Sequence, residues 1–363
     1  CPRRAVAISH PTPRPTQNAL HPCLRAVQRL HPRRAHPAPK PAVPAQRRPA
    51  GCPALYRAHR PCRAGYRAHC PPPQAATTWY WLDAARTSAL IDSPGFQEFG
   101  LRHIAPALLI ALFALSVYNA YTPVVRRVSI RINKPLAQPI RIGMAADTHL
   151  GTLVGARQLD KLAQIMQQEK ADIILLPGDI MDDDIAAYTA ENMKPHLAKL
   201  RAPLGVYATL GNHDMFSRDP ISRAIQDAGI TVLSDQAVLV DNQIWVVGRP
   251  DQLIGQRMET ADLLRAAQVD TSQPVFLLDH RPDDVLAHTK LPIDVQVSGH
   301  VHNGQIFPAN LLVRFLNRLP YGYEKIGNGH FFVTSGYGFW GVPFRLGSQS
   351  EVWIIDVEGT PAR

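Results

Sequence analysis

Acidic residues are missing from the first 82 positions of this 363-residue chain, and cysteine is missing from everything after Cys70. The first absence goes with sixteen of the chain's 33 prolines, a density that stops helix or sheet from propagating. The second absence leaves any metal ligation in the remainder to oxygen and nitrogen donors. The cysteines that are present (Cys1, Cys23, Cys52, Cys62 and Cys70) are odd in number and lack CxxC spacing, which argues against a disulfide or thiolate metal module. Methionine is absent before Met144, and Tyr56-Arg57-Ala58-His59 recurs once as Tyr66-Arg67-Ala68-His69, too little for a repeat fold. Residues 1–100 carry 15 Lys+Arg against three acids, whereas the rest carries 24 against 26, so the formal +10 belongs to the opening segment alone. A basic nucleic-acid arm would rest on that segment only, and no specific nucleic-acid partner is expected. Residues 1–100 are expected to be a Pro/Arg-rich leader, either natively disordered or translated from GC-rich DNA outside the true frame. It is assigned no function.

One uncharged run follows, residues 104–125, long enough for the ~20 apolar residues that cross ~30 Å of hydrocarbon. Pro106 falls in the first turn, where its missing N–H costs little. Tyr118 and Tyr121, with Trp79 and Trp81 upstream, suit the two membrane interfaces. The rival readings are a buried helix or the apolar core of a signal peptide. The expected organisation is a leader over 1–100, a transmembrane helix over 101–125, a linker over 126–138 and an α/β domain over 139–363. Arg126, Arg127, Arg131 and Lys134 just after the span place that domain on the cytoplasmic side by the positive-inside rule.

From 139 onward apolar runs alternate with amphipathic ones. Residues 140–146, 172–177 and 205–210 read as strands, and 158–169, 186–200 and 220–228 as helices, a βαβαβ succession with a parallel sheet. The second half adds strands at 238–240, 244–247, 275–278, 294–298, 331–334 and 351–357, with short helices at 263–267 and 283–288. Most of the strands are followed by a polar block: Asp147-Thr148-His149, Gly178-Asp179, Gly211-Asn212-His213-Asp214, His280, and Gly299-His300-Val301-His302. In open α/β sheets, ligands collect at the carboxyl ends of strands. Packing has no use for so many polar groups there, whereas oxygen and nitrogen donors in this mixture suit borderline divalent metals. Asp147 and His149, like His300 and His302, stand two apart, so in extended backbone each pair points to one face.

Taken singly, each block has a bland reading: Asp-x-His a cap or surface pair, Gly-Asp a turn, Gly-Asn-His-Asp an ordinary loop. Their order and completeness over residues 139–357 resemble the calcineurin-like metallophosphoesterase superfamily. The segments 299–305 and 334–341 resemble its bacterial membrane-linked branch. The resemblance implies a four-layer α/β/β/α sandwich of two mixed sheets, preceded here by a membrane helix. It implies a dinuclear phosphoesterase holding two divalent ions (Mn, Fe, Zn, Co or Ni), with attack by a metal-bridging hydroxide on a phosphodiester or phosphomonoester. Asp147, His149, Asp179 and His302 would hold one ion, and Asp179, Asn212, His280 and His300 the other, with Asp179 shared. His213 would be the general acid, oriented by Asp214.

Other residues are open to two readings. Asp182, Asp183 and Asp184 are expected to be a helix N-terminal acidic cluster. Asp279 either orients His280 or faces solvent. His196, His288 and His330 are expected to be structural. Tyr321, Tyr323, Phe339, Trp340 and Phe344 are either sheet packing or a pocket wall, and Arg345 is a candidate for meeting a phosphate. The membrane segment suggests a lipid-linked substrate. The rival from a different class is a catalytically silent binding scaffold on the same fold.

Overall fold

The computed structural model describes residues 92–360. The leader over 1–91, including Trp79, Trp81 and all five cysteines, lies outside the described residues. The described part opens with α1 (Pro94–Phe99), a single π-type turn (Gly100–Ile104) and α2 (Ala105–Tyr121). Together they include one helical stretch, Gln97–Tyr121, long and apolar enough to cross a membrane. It ends at Tyr121 rather than at 125, because Val124 and Val125 already pair with Glu351 and Val352. Leu108, Leu109, Ile110 and Phe113 are exposed, whereas Ser116 and Ala120 are buried against the domain.

Twelve strands then form two six-stranded sheets. The first has the order β1 (Val124–Pro135), β12 (Glu351–Thr360), β2 (Ile140–Met144), β3 (Ile173–Pro177), β4 (Val206–Thr209), β5 (Thr231–Val232). The second runs β10 (Gly322–Ile326), β11 (Gly329–Val333), β9 (Val295–Ser298), β8 (Val275–Asp279), β7 (Ile244–Arg249), β6 (Gln236–Val240). Strands β2 to β5 are mutually parallel, as are β7, β8, β9 and β11. Helices α3 (Ala156–Gln168), α4 (Ala186–Ala190), α5 (Lys194–Leu197) and α6 (Arg218–Asp227) join the parallel strands of the first sheet. The shorter α7 (Thr260–Ala266), α8 (Val285–His288) and α9 (Ala309–Leu316) lie within the second half.

Side-chain alternation explains the layering. In β3, Ile174 and Leu176 join the helix-side core with Leu159, Leu162 and Met166 of α3, while Ile173 and Leu175 face the second sheet. β8 does the same from the other side: Phe276 and Leu278 enter the inter-sheet core, and Val275 and Leu277 pack under α7 with Leu263 and Leu264. Period-2 strands buried on both faces need cover on both. The result is the four-layer α/β/β/α sandwich.

Two boundaries differ from expectation. The segment 126–138 is largely strand β1, parallel to β12, not a linker. Ile130 and Ile132 point into the inter-sheet core, and the four cations between them find carboxylates. Arg126 meets Glu351 (3.0 Å), Arg127 meets Glu169 (2.5 Å), Arg131 meets Glu358 (2.9 Å) and Lys134 meets Asp294 (2.7 Å). The charges read as topology signals are therefore paired within the domain. The helix expected over 186–200 is broken into α4 and α5, because Asn192 takes a left-handed φ of 50° and Pro195 begins a new turn.

Candidate metal centre

The polar blocks sit just past the carboxyl ends of five parallel strands: Asp147 after β2, Asp179 after β3, Asn212 after β4, His280 after β8, and His300 and His302 after β9. The two sheets thus each deliver part of one cluster. Beyond the ladders the backbone still pairs, with Asp147 N–H donating to Gly178 O (3.0 Å) and His149 N–H to Asp179 O (3.1 Å). These residues are not extended as the two-apart spacing suggested. Asp147, His149, Asp179, His300 and His302 all have φ between 44° and 70°. Left-handed backbone at non-glycine residues costs about 1–3 kcal/mol each and persists only where surrounding contacts over-determine it. The aiming is done by loop conformation, not by strand pleat.

All seven side chains expected as ligands come together. Ligand atoms of Asp147, His149 and His302 lie within 4.8 Å of one another, and so do those of Asp179, His280 and His300. Asn212 Oδ1 joins the second group, 3.1 Å from His280 Nε2. Asp179 Oδ2 stands between the groups, 3.1 Å from His280 Nε2 and 3.9 Å from His149 Nε2.

The donor chemistry fits cations. His280 Nδ1 is 2.8 Å from the Pro177 carbonyl oxygen, so the proton is assigned to Nδ1. In a neutral ring the Nε2 lone pair then faces two oxygens, of Asn212 and Asp179, and only a proton or a cation reconciles them. Burial works against the charged ring, yet Asp179 and Asp147 outweigh it and raise His280 to about 10 when no metal is bound. Burial raises Asp179, but His280 and His149 overcome this and hold it far below the usual carboxylate range. Asp147 Oδ1 accepts the His300 N–H (2.9 Å), while its Oδ2 is buried without a hydrogen-bond partner. Burial pushes His300 down to about 3 and His302 well below its ordinary value, which keeps both rings in the neutral form that metals need.

Glycines at 211 and 299 make this convergence possible. A Cβ on Gly211 would strike the Asp179 carboxylate and amide nitrogen, and one on Gly299 the Asp147 carboxylate. We predict that Gly211→Ala displaces the Asp179 carboxylate and weakens metal binding by about 10–100-fold with the fold retained, as loss of an orienting group does elsewhere. Metal titration by calorimetry checks this, and unchanged affinity would show that the close approach is incidental.

The structure assigns several acids differently from the sequence. Asp214 does not hold His213. It is fully buried and accepts backbone N–H groups of Gly211 (2.9 Å), Met181 (2.9 Å) and Ile180 (3.1 Å), tying two metal-site loops together. Burial and Asp179 push it up to about 6 against those three donors. His213 Nδ1 instead meets Asp183 Oδ1 at 2.6 Å, and its backbone N–H donates to Asp179 Oδ1 (2.8 Å). Asp182 Oδ1 lies 3.3 Å from His149 Nδ1. Of the acidic triplet only Asp184 serves a helix start, accepting the Ala186 N–H at 2.7 Å. The loop between β3 and α4 turns the other two back over the site. The signal for this, acids directly after Gly178-Asp179, was present in the sequence.

Arg345 is wholly buried and does not reach the cleft as a phosphate ligand. Its Nη2 donates to Gly338 O (2.6 Å) and lies 3.3 Å from His302 Nδ1. Trp340 is exposed and lines a cleft of about 300 Å³ with Asp179, Asn212, His213, His300 and His302. Gln305 fixes the tryptophan loop, accepting from Trp340 N–H (2.9 Å) and donating to the Trp340 and Val342 carbonyls. Phe339 is core, Phe344 packs on Phe113 of α2, Tyr321 donates to Glu351, and Tyr323 stacks on His330. Tyr323 also bonds His330 Nδ1 (2.8 Å), and His196 pairs with Asp160 (2.8 Å).

Asp279 neither orients His280 nor faces solvent. It is buried between Arg249 (2.9 Å) and Arg257 (3.0 Å), which also share Asp284. His288 packs beside them, with Nδ1 on Gln296 Oε1 (2.8 Å) and Nε2 accepting from Thr260 (2.7 Å) and Arg249 (3.3 Å). Burial and the neighbouring Arg249 lower His288 to about 4 although Gln296 and Asp284 oppose them. A folded value below the unfolded ~6.5 means that acid favours the unfolded chain. The stabilisation is complete above pH ~6.5 and disappears as pH falls to about 4, a change on the order of 3 kcal/mol. Urea unfolding at several pH values is expected to show this slope in the native chain and its flattening in His288→Gln. Equal slopes would refute it.

A two-sheet sandwich with an Asp/His/Asn cluster at its strand ends is the arrangement that the sequence resemblance implied. Residues 140–304 match the family model for calcineurin-like phosphoesterases. An uncharacterized metallophosphoesterase of Aquifex aeolicus is 29% identical over 259 residues, 69% of this chain and 98% of that relative. One from Helicobacter pylori is 29% identical over 63% of this chain and 62% of its own length. A Bos taurus protein named transmembrane protein with metallophosphoesterase domain is 26% identical over 71% of this chain and 63% of its length.

Proposed function

We propose that the chain is a dinuclear metal-dependent phosphoesterase, hydrolysing a phosphodiester or phosphomonoester at a membrane. The observation that carries this is the position of Asp179 Oδ2 between His280 and His149, with lone pairs converging from both sheets. Asp147, His149 and His302 would hold one divalent ion and Asn212, His280 and His300 the other, with Asp179 common to both. Bound there, the ions supply Lewis acidity toward phosphoryl oxygens and water. The neutral Asn212 carbonyl limits the negative charge around the second ion.

His213 stands on the cleft wall beside Trp340, ring centroids 6.3 Å apart. Asp183 accepts from its Nδ1–H, so the doubly protonated ring presents Nε2–H as the proton given to the leaving oxygen. Asp214 serves by fixing the loops, not by touching substrate. Membrane residence is supported by the exposed apolar stretch Gln97–Tyr121 and by the transmembrane relative, and it favours a lipid-linked substrate.

Hydrolysis of an aryl phosphodiester and an aryl phosphomonoester by the full chain tests the reading. Chelated protein is expected to be inactive, and one or more of Mn²⁺, Fe²⁺, Zn²⁺, Co²⁺ and Ni²⁺ to restore turnover, since ligand type alone does not choose among them. Metal binding without hydrolysis would favour the silent scaffold. Hydrolysis indifferent to chelation would remove the metal centre from the chemistry.

A further inference from the structure

Helix α9 is built inside out. Its polar Asn310 turns toward the domain, with the amide against Gly347 and Oδ1 buried, while Leu311, Leu312, Phe315 and Leu316 face outward. Phe315 is 87% exposed, and no residue of the helix is buried. A helix lying on a water-soluble domain shows the opposite pattern, apolar stripe inward. Phe307, Trp340 and Val342 extend the exposed apolar surface from the start of α9 to the rim of the metal cleft.

This surface is joined to the membrane-span candidate. Phe307 N–H donates to Leu346 O (2.7 Å), and Leu346 N–H to Gln305 O (3.1 Å), so the segment leading into α9 is bonded to the loop 342–348. The same loop grips α2: Phe344 packs on Phe113 (4.9 Å between centroids), Arg345 N–H donates to Ser116 O (3.0 Å), and Asn119 donates to Arg345 O (3.2 Å). Phe113 lies eight residues before Tyr121, about 12 Å along the helix at 1.5 Å per residue. The domain therefore reaches down α2 within its apolar stretch, and the bonded segment brings α9 to that level.

We propose that α9, with Phe307, Trp340 and Val342, lies in the interfacial layer of the bilayer that α2 enters, so that the metal cleft opens at the lipid headgroups. The inference rests on the membrane reading of Gln97–Tyr121 given above. Arg314, exposed one turn after Asn310 and so at the border of the apolar stripe, suits the boundary between acyl chains and anionic headgroups, where a long cation keeps its charge in water. A lipid surface also explains why four large apolar side chains of a short helix remain uncovered by the chain's own domain.

The test uses the full chain reconstituted into phosphatidylethanolamine/phosphatidylglycerol vesicles, with the five native cysteines replaced by serine. An environment-sensitive fluorophore is attached at Phe315→Cys or, for comparison, at Leu239→Cys on the edge strand β6. The label at 315 is expected to emit further to the blue, resist aqueous iodide and be quenched by nitroxide-bearing lipid; the label at 239 should do the reverse. Equal iodide quenching at both positions overturns the proposal, as does failure of the chain to float with vesicles. Protection at 315 that ignores lipid nitroxide and grows with protein density identifies a second copy of the chain as the occupant and also overturns it. The double variant Leu312→Asp/Phe315→Asp should hydrolyse a soluble aryl phosphodiester at the native rate and lose rate on a phosphodiester embedded in vesicles. Absence of chelator-sensitive hydrolysis in the native chain would defeat the enzyme reading alone, because label depth is read without turnover.

Discussion

If the centre is dinuclear as proposed, Asp179→Asn is expected to reduce turnover by at least about 10³-fold and to cut bound metal from two ions per chain to one or none. Coordinated cations supply several kcal/mol of transition-state stabilisation, and each ~1.4 kcal/mol is tenfold in rate. Asparagine keeps the volume and leaves an acceptor for the His213 N–H, which Asp179 Oδ1 accepts at 2.8 Å, so the loop should keep its shape. What it removes is the negative charge between His280 and His149. That charge raises His280 to about 10 in the metal-free chain, so the variant should also let its His280 lose its proton more easily. Metal analysis with initial rates on an aryl phosphodiester checks the expectation. Two retained ions and a rate within about tenfold of native would show that Asp179 is not shared between them.

His213→Ala is expected to leave both ions bound and to slow turnover by about 10²–10⁴-fold, the usual loss for a general acid. A His213 ring nitrogen lies within 4.8 Å of ligand atoms of His149 and Asp179, but Asp183 holds the ring, and alanine preserves the backbone N–H that Asp179 accepts. A leaving group that needs no proton should escape most of the penalty, so the loss must be larger for an alkyl than for an acidic aryl ester. Asp183→Asn, which weakens the hold on Nδ1 at 2.6 Å, should show the same leaving-group pattern at smaller amplitude. A uniform loss across leaving groups, or loss of metal in His213→Ala, would mean that the imidazole acts in another way.

The order of chemistry along the chain was plain before any coordinates. Apolar period-2 runs at β3 and β8 and the amphipathic face of α3 (Leu159, Leu162, Met166) require a covered sheet, and five polar blocks fall where such sheets bind ligands. Strand β1 was hidden because its four cations mask the alternation of Val128, Ile130 and Ile132, and its partner β12 is at the other end of the chain. The inverted face of α9 was equally illegible, since six apolar residues in an octet suit a core equally well, and only the tertiary structure leaves them uncovered among the described residues.

Within the site, residue identity followed from sequence, but partnership did not. Asp214 adjoins His213 in the chain yet serves three backbone amides, while Asp183, thirty residues earlier, takes the imidazole. Local order determines which strand end each side chain leaves from, because periodicity and glycine placement are properties of short segments. The folding of the loop 180–184 over the centre decides which carboxylate reaches which ring. That depends on left-handed turns held by contacts from both sheets, and such contacts exist only once the sheets have packed.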